Sequence, residues 1–180
     1  MDPVIKKKLL DIVREAVKAA VCGKKYQIPR IDDPELLEHR GCFVTLKTED
    51  RLRGCIGVFM SNKPLVELAV EMAYSSATDD PRFEFDRLVP QDMKDLQIEI
   101  SVLSKLQKTN NPLSLELGKH GIYIKKGHQT GCFLPQVATE TGWSKEEFLS
   151  YCCSHKAGLA RHDWQEDDTD VYLFTAEIIK

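Results

Sequence analysis

What this chain lacks narrows its chemistry before any motif is considered. Its six cysteines, at positions 22, 42, 55, 132, 152 and 153, form no Cys-x-x-Cys pair, which sets aside the thioredoxin-like redox motif and regular zinc spacings. No hydrophobic run approaches the roughly 20 residues that cross a bilayer, and the first residues start an amphipathic pattern in place of an apolar leader. Without a secretory signal the thiols are expected to be reduced and the protein cytoplasmic. An excess of basic charge is also missing: 25 Lys and Arg against 28 Asp and Glu give a net charge of −3. A nucleic-acid footprint, which needs a basic face, is therefore not expected. No glycine-rich loop opens a helix as a phosphate cradle would, so no nucleotide or other cofactor is expected. Internal repeats and low-complexity segments are absent as well.

What is present is enough apolar residue, 42% of 180 positions, for one good core or two lobes sharing one chain. Asp2 and Pro3 read as a helix cap and first turn, with Ile5, Leu9, Ile12, Ala16 and Ala20 on one stripe until Gly23. Residues 24–39 carry Pro29 and Pro34 and read as a loop with a short helical turn. Cys42 to Leu46 and Leu52 to Phe59 read as a hairpin joined by a longer loop over Lys47 to Arg51. A second helix after Pro64, with Leu65, Leu68, Ala69, Met72 and Ala73 inward, should stop near Thr78. Gln97 to Leu103 alternates as a strand with Ile98, Ile100 and Val102 buried.

Further along, Gly121 to Lys125 and Thr130 to Leu134 read as another hairpin ended by Pro135. Ser144 and Glu147 spell a capping box, with Trp143 placed to staple to Phe148. That helix should run to about Lys156, and Val171 to Ile179 reads as a final strand. Helices mixed with mainly antiparallel strands give an α+β class.

The hexapeptide Leu52-Arg53-Gly54-Cys55-Ile56-Gly57 stands apart from this patterning. Interior glycines weaken a strand, so Gly54 and Gly57 mark places where backbone or ligand comes close. Cys55 reads either as a small buried apolar residue or as a nucleophile or metal ligand. A guanidinium near the sulfur favours the thiolate, and whether Arg53 supplies it is open at this point. Arg53 fits two uses equally, binding a carboxylate or phosphate, or bracing the hairpin against an acid such as Asp80. Asp80-Pro81-Arg82-Phe83 reads as a helix end followed by a turn, or as a charged wall of a site.

With these residues in view, the chain resembles the AMMECR family. The resemblance rests on the RGCIG core, on Gly41 to Leu46 before it, and on Asp80-Pro81-Arg82-Phe83 after it. It continues through His120-Gly121-Ile122, Leu134-Pro135-Gln136-Val137, and Lys156-Ala157-Gly158-Leu159 followed by Trp164. It implies a larger subdomain with both termini and an antiparallel sheet, a smaller inserted subdomain, and an interlobe cleft where Arg53, Gly54, Cys55, Gly57, Asp80 and Arg82 converge. Memo-type and radical-SAM proteins are the partners it implies, with a protein among the candidate substrates.

Nucleophilic catalysis at Cys55 needs a base, and His120, His155 and His162 are the candidates. His120 ranks first because it matches the family pattern; an exposed turn histidine is its plainer reading. Cys152, Cys153, His155 and His162 do not converge on one ion at helical spacing, so no metal site is expected. Two functions stay open. In one, Cys55 attacks an electrophilic carbon or carries a transferred group while Arg53 orients an anion. In the other, a non-catalytic module grips a protein segment or delivers a substrate, with Cys55 chosen for size.

Overall fold

The computed structural model describes residues Met1–Lys180, and the chain divides into two compact units. The first comprises Met1–Leu103 with Glu177–Lys180, the second Ser104–Ala176. Together their elements make an α+β protein whose strands pair antiparallel.

The first unit begins with α1 (Pro3–Val21), whose N-terminus is capped where Asp2 accepts the Val4 N–H at 2.8 Å. Its buried face is Leu9, Ile12, Val13, Ala16, Val17 and Ala20, a wider stripe than spacing alone assigned, while Ile5 stays partly exposed. The short α2 (Pro34–Leu37) is the turn expected in the loop that follows. Strands β1 (Cys42–Thr48), β2 (Arg51–Val58) and β3 (Leu96–Leu103) lie in the order β2-β1-β3, and α3 (Leu65–Thr78) follows β2. One face of this sheet presents Cys42, Val44, Leu46, Leu96, Ile98, Ile100 and Val102 to α1 and α3, all within a single buried cluster. Each such aliphatic side chain stabilises the unit by about 1.5–3 kcal/mol.

Two details of the β1–β2 hairpin differ from expectation. The longer loop is in fact two residues, Glu49 and Asp50, both at positive φ (50° and 62°). This is the geometry that matches strand twist and that Asn-Gly would have announced. The register also slips: Leu46 faces Gly54 but Lys47 faces Leu52, so Arg53 is an extra, bulged residue. A bulge bends the strand and re-aims its side chain.

The second unit contains β4 (Gln107–Thr109), β5 (His120–Lys126), β6 (Gln129–Phe133), α4 (Pro135–Thr141) and α5 (Lys145–Tyr151), and most of β7 (Asp170–Ile179). β5 pairs with β6 and with β7, which also carries β4. The capping box forms as spelled, Ser144 Oγ accepting the Glu147 N–H at 3.2 Å and Glu147 Oε2 the Ser144 N–H at 2.9 Å. Trp143 and Phe148 meet through a third ring, Phe133, at 5.7 and 5.4 Å. After Tyr151 the helix widens to a π-turn over Cys152–Ala157, closed by Gly158. Cys152 and Cys153 are packed inside this unit's own core beside Phe148 and Trp164. Pro135 starts α4 as well as ending the preceding strand, a use of proline in a first helical turn that the strand reading passed over.

Candidate functional site

The hexapeptide Leu52–Gly57 lies wholly on β2, the outermost strand of the first unit's sheet. Cys55 is half-buried and faces Thr45 across the ladder, its Sγ 3.2 Å from Thr45 Oγ1. Side chains come this close in the non-hydrogen-bonded pairs of an antiparallel ladder, where the main-chain groups point away from the partner strand. Those outward groups of Cys55 are met from the turn after α3. The Cys55 N–H donates to Asp80 Oδ2 at 2.9 Å, and its C=O accepts from Arg82 Nη2 at 2.9 Å. Asp80 and Arg82 are joined to each other by a fork, Nε to Oδ1 at 3.0 Å and Nη2 to Oδ2 at 2.7 Å. An ion pair therefore takes the place of a further strand beside Cys55 and covers an edge that would otherwise invite pairing.

The electrostatics follow from this fork. Asp80 is 3% exposed, and its hydrogen bond from Arg82 leads the causes that hold its carboxyl down to about 2, aided by the Cys55 and Arg82 N–H groups against burial. Arg82 is pushed up, first by Asp80 and further by the Cys55 sulfur. Its side chain is 55% exposed, none of its hydrogen bonds uses Nη1, and its guanidinium lies 5.4 Å over the Phe83 ring.

Arg53 has a different task. Only 9% exposed, it donates from Nη1 to Thr48 Oγ1 at 3.0 Å and from Nη2 to the carbonyls of Asp86 and Arg87 and to Asp92 Oδ2, at 3.3–3.4 Å. Its Nε lies 3.6 Å from Asp86 Oδ2. The bracing use is the one realised, against Asp86 and Asp92 in place of Asp80, because the bulge turns this side chain toward the 86–92 segment. Asp80 instead takes the arginine two residues along its own turn.

The glycines are explained by protein atoms. A Cβ at Gly54 would stand 1.9 Å from the Ser76 carbonyl oxygen, so α3 can pack against β2 only at a glycine. A Cβ at Gly57 would meet the Phe43 ring at 2.3 Å. Ser76, which pattern reading did not single out, threads the same contact: its Oγ accepts the Ile56 N–H at 2.9 Å and donates to the Val44 C=O at 2.8 Å. Thr45 was also missed, though its alternation with Val44 and Leu46 places it on the face opposite the core.

Of the sequence candidates, Gly54, Cys55, Asp80 and Arg82 form one contiguous group; Arg53 and Gly57 flank it with structural duties. The three candidate histidines all belong to the second unit. His120 accepts the Glu116 N–H on Nδ1 at 2.9 Å, and His155 stacks on Tyr151 with centroids 5.2 Å apart. What the group around Cys55 offers chemically is a half-buried thiol with a hydroxyl on one side and a partly uncommitted guanidinium on the other.

Comparison with known proteins places the chain in a wider set. The AMMECR1 family model matches residues 10–179. A protein of Methanopyrus kandleri is 44% identical over 181 residues, covering 94% of this chain and 86% of that protein. One of Nanoarchaeum equitans is 40% identical over 179 residues, covering 96% of this chain and 98% of its own. The crystal structure of an uncharacterized protein from Pyrococcus horikoshii matches with a TM-score of 0.86 at 38% identity, over 99% of this chain and 92% of that one.

Proposed function

The chain belongs to the AMMECR1 family, and we propose that it works through a thiol centre at Cys55, with Arg82 orienting an anionic group of the substrate. The observation that carries this reading is what packing leaves over. Arg53, Gly54 and Gly57 are accounted for by the fold, whereas the half-buried Cys55 thiol touches only the Thr45 hydroxyl and the half-exposed Arg82, whose guanidinium lies over the Phe83 ring, makes no hydrogen bond from Nη1. In the reaction the Cys55 sulfur forms a bond to an electrophilic carbon, and the leaving group departs with the electrons of the bond that breaks. The thiol proton passes to solvent by way of the Thr45 hydroxyl, which already touches the sulfur. A reducing, cytoplasmic setting keeps such a thiol free.

The test is residue-resolved alkylation with iodoacetamide at pH 7. Cys55 should label about three- to tenfold faster in the wild type than in Arg82→Gln, the size of effect expected of one partly solvated cation beside the thiolate. Arg82→Lys, which keeps the charge, should retain most of the rate. Labelling of Cys55 that is negligible, or indifferent to both variants, would overturn the thiol reading.

The second reading, a non-catalytic module that grips a protein segment, is favoured by one observation: Phe85, just beyond the Asp80–Phe83 turn, is 99% exposed. Memo-type and radical-SAM proteins are the partners to mix first. Partner capture that survives Cys55→Ala and fails in Phe85→Ser would favour the module.

A further inference from the structure

The row of side chains that contains Cys55 continues across the sheet. Thr45, opposite Cys55 on one side, is opposite Glu99 on the other, and Lys47 is opposite Gln97. These residues share the sheet face turned away from α1 and α3, because their neighbours Val44, Leu46, Ile98 and Ile100 fill the core face. Beside Thr45, where the sheet meets the α1 side chain Arg14 and the C-terminal Lys180, lies a concavity of about 390 Å³ whose lining includes Thr45, Lys47, Gln97 and Glu99.

The charges of this concavity are unequally satisfied. Glu99, only 20% exposed, takes the Lys180 ammonium at 2.9 Å. Arg14 donates from Nη1 to the Leu96 carbonyl at 3.3 Å. Asp50, the other acid in the lining, sits exposed on the hairpin turn. Lys47 is half-buried and has neither a hydrogen bond nor an ion pair within the protein. An ammonium partly withdrawn from water without a partner is costly, and an anion brought to it removes that cost.

We infer that this concavity is a subsite for a small molecule carrying a carboxylate or phosphate, held at Lys47 and hydrogen-bonded at Gln97. So placed, the molecule extends over Thr45 toward the Cys55 sulfur, 3.2 Å beyond the Thr45 hydroxyl. Anion binding at Lys47 stands by itself; presentation of the bound molecule to the sulfur rests on the thiol reading of Cys55. Lys47 acts as an anchor at the end of the molecule remote from Arg82, so the two cations select ligands with polar groups at both ends.

Calorimetric titration with succinate and with inorganic phosphate tests the binding. At least one should bind the wild-type protein with a Kd below about 10 mM, and Lys47→Gln should weaken it about tenfold, a loss of about 1.4 kcal/mol. Lys7→Gln, a change on the exposed side of α1, should leave the affinity unchanged. Which of the two ligands binds tells a carboxylate site from a phosphate site. No binding of either, or equal binding in Lys47→Gln, would overturn the subsite. In parallel, the bound anion should slow iodoacetamide labelling of Cys55 in the wild type and fail to do so in Lys47→Gln. Binding without protection would leave the anion site standing and sever it from the thiol, whereas a Cys55 that never labels would end the thiol reading alone.

Discussion

Asp80 shows how one residue can serve backbone and charge together. Its carboxylate holds the Cys55 N–H at 2.9 Å and forks with Arg82 while almost fully buried. Because its pKa lies at about 2 in the folded protein, below the unfolded value of about 3.9, ionised Asp80 stabilises the fold. That contribution, on the order of 2 kcal/mol, is complete above about pH 5 and is lost as the pH falls toward 2. Urea unfolding between pH 2.5 and pH 7 should therefore show a smaller acid slope in Asp80→Asn than in the wild type, together with lower stability at neutral pH. Equal slopes would mean that the fork contributes nothing at equilibrium. In the sequence, Asp80 and Arg82 were already visible as a turn. What spacing did not convey was that this turn folds back onto the main chain of Cys55, residues earlier in the chain and on another element.

At the scale of elements, helices were the most legible parts. Asp2-Pro3 starts α1 and the Ser144–Glu147 box starts α5 because capping is a local hydrogen-bonding event written in adjacent residues. Strand existence was legible for the same reason, since alternation in β1 and β3 needs no knowledge of the partner. The β1–β2 turn was not, for neither Glu49 nor Asp50 is a residue that favours positive φ as glycine does. Left-handed conformation costs an L-residue roughly 1–2 kcal/mol, part of which glycine returns as unfolded-chain entropy. Asp50→Gly should accordingly raise stability by about 0.5–1 kcal/mol, seen as a higher urea midpoint at unchanged slope. A destabilised variant would show that the Asp50 side chain contributes more than its backbone costs. The bulge at Arg53 was equally hidden, because register is a property of two strands and the slip appears only when Leu46 is set against Gly54.

For the whole molecule, each unit carries its own core, one built on α1, α3 and β1–β3 and the other on Phe148, Trp164 and the β5–β6 hairpin. The cysteines report on both. Burial pushes Cys42 up to about 12 and Cys132 and Cys153 to about 11, and raises Cys152 as well, whereas Cys22 is exposed and Cys55 half-buried. At pH 8 a chromogenic disulfide reagent should therefore titrate two thiols rapidly, Cys22 and Cys55, and all six only after unfolding in urea. A third fast thiol from Cys132, Cys152 or Cys153 would reveal opening of the second unit's core. No helix is long and apolar enough to cross a membrane, in line with the hydropathy of the chain. Composition, periodicity and capping were sufficient to determine an α+β protein and most of its helices and strands, because these signals are local or additive along the chain. Only the tertiary structure decided that Arg82, and not Arg53, stands beside the Cys55 thiol, that α3 is the reason for Gly54, and that Thr45, Glu99 and Lys47 share its face. Those facts depend on contacts between residues distant in sequence, and a bulge of one residue is enough to reassign them.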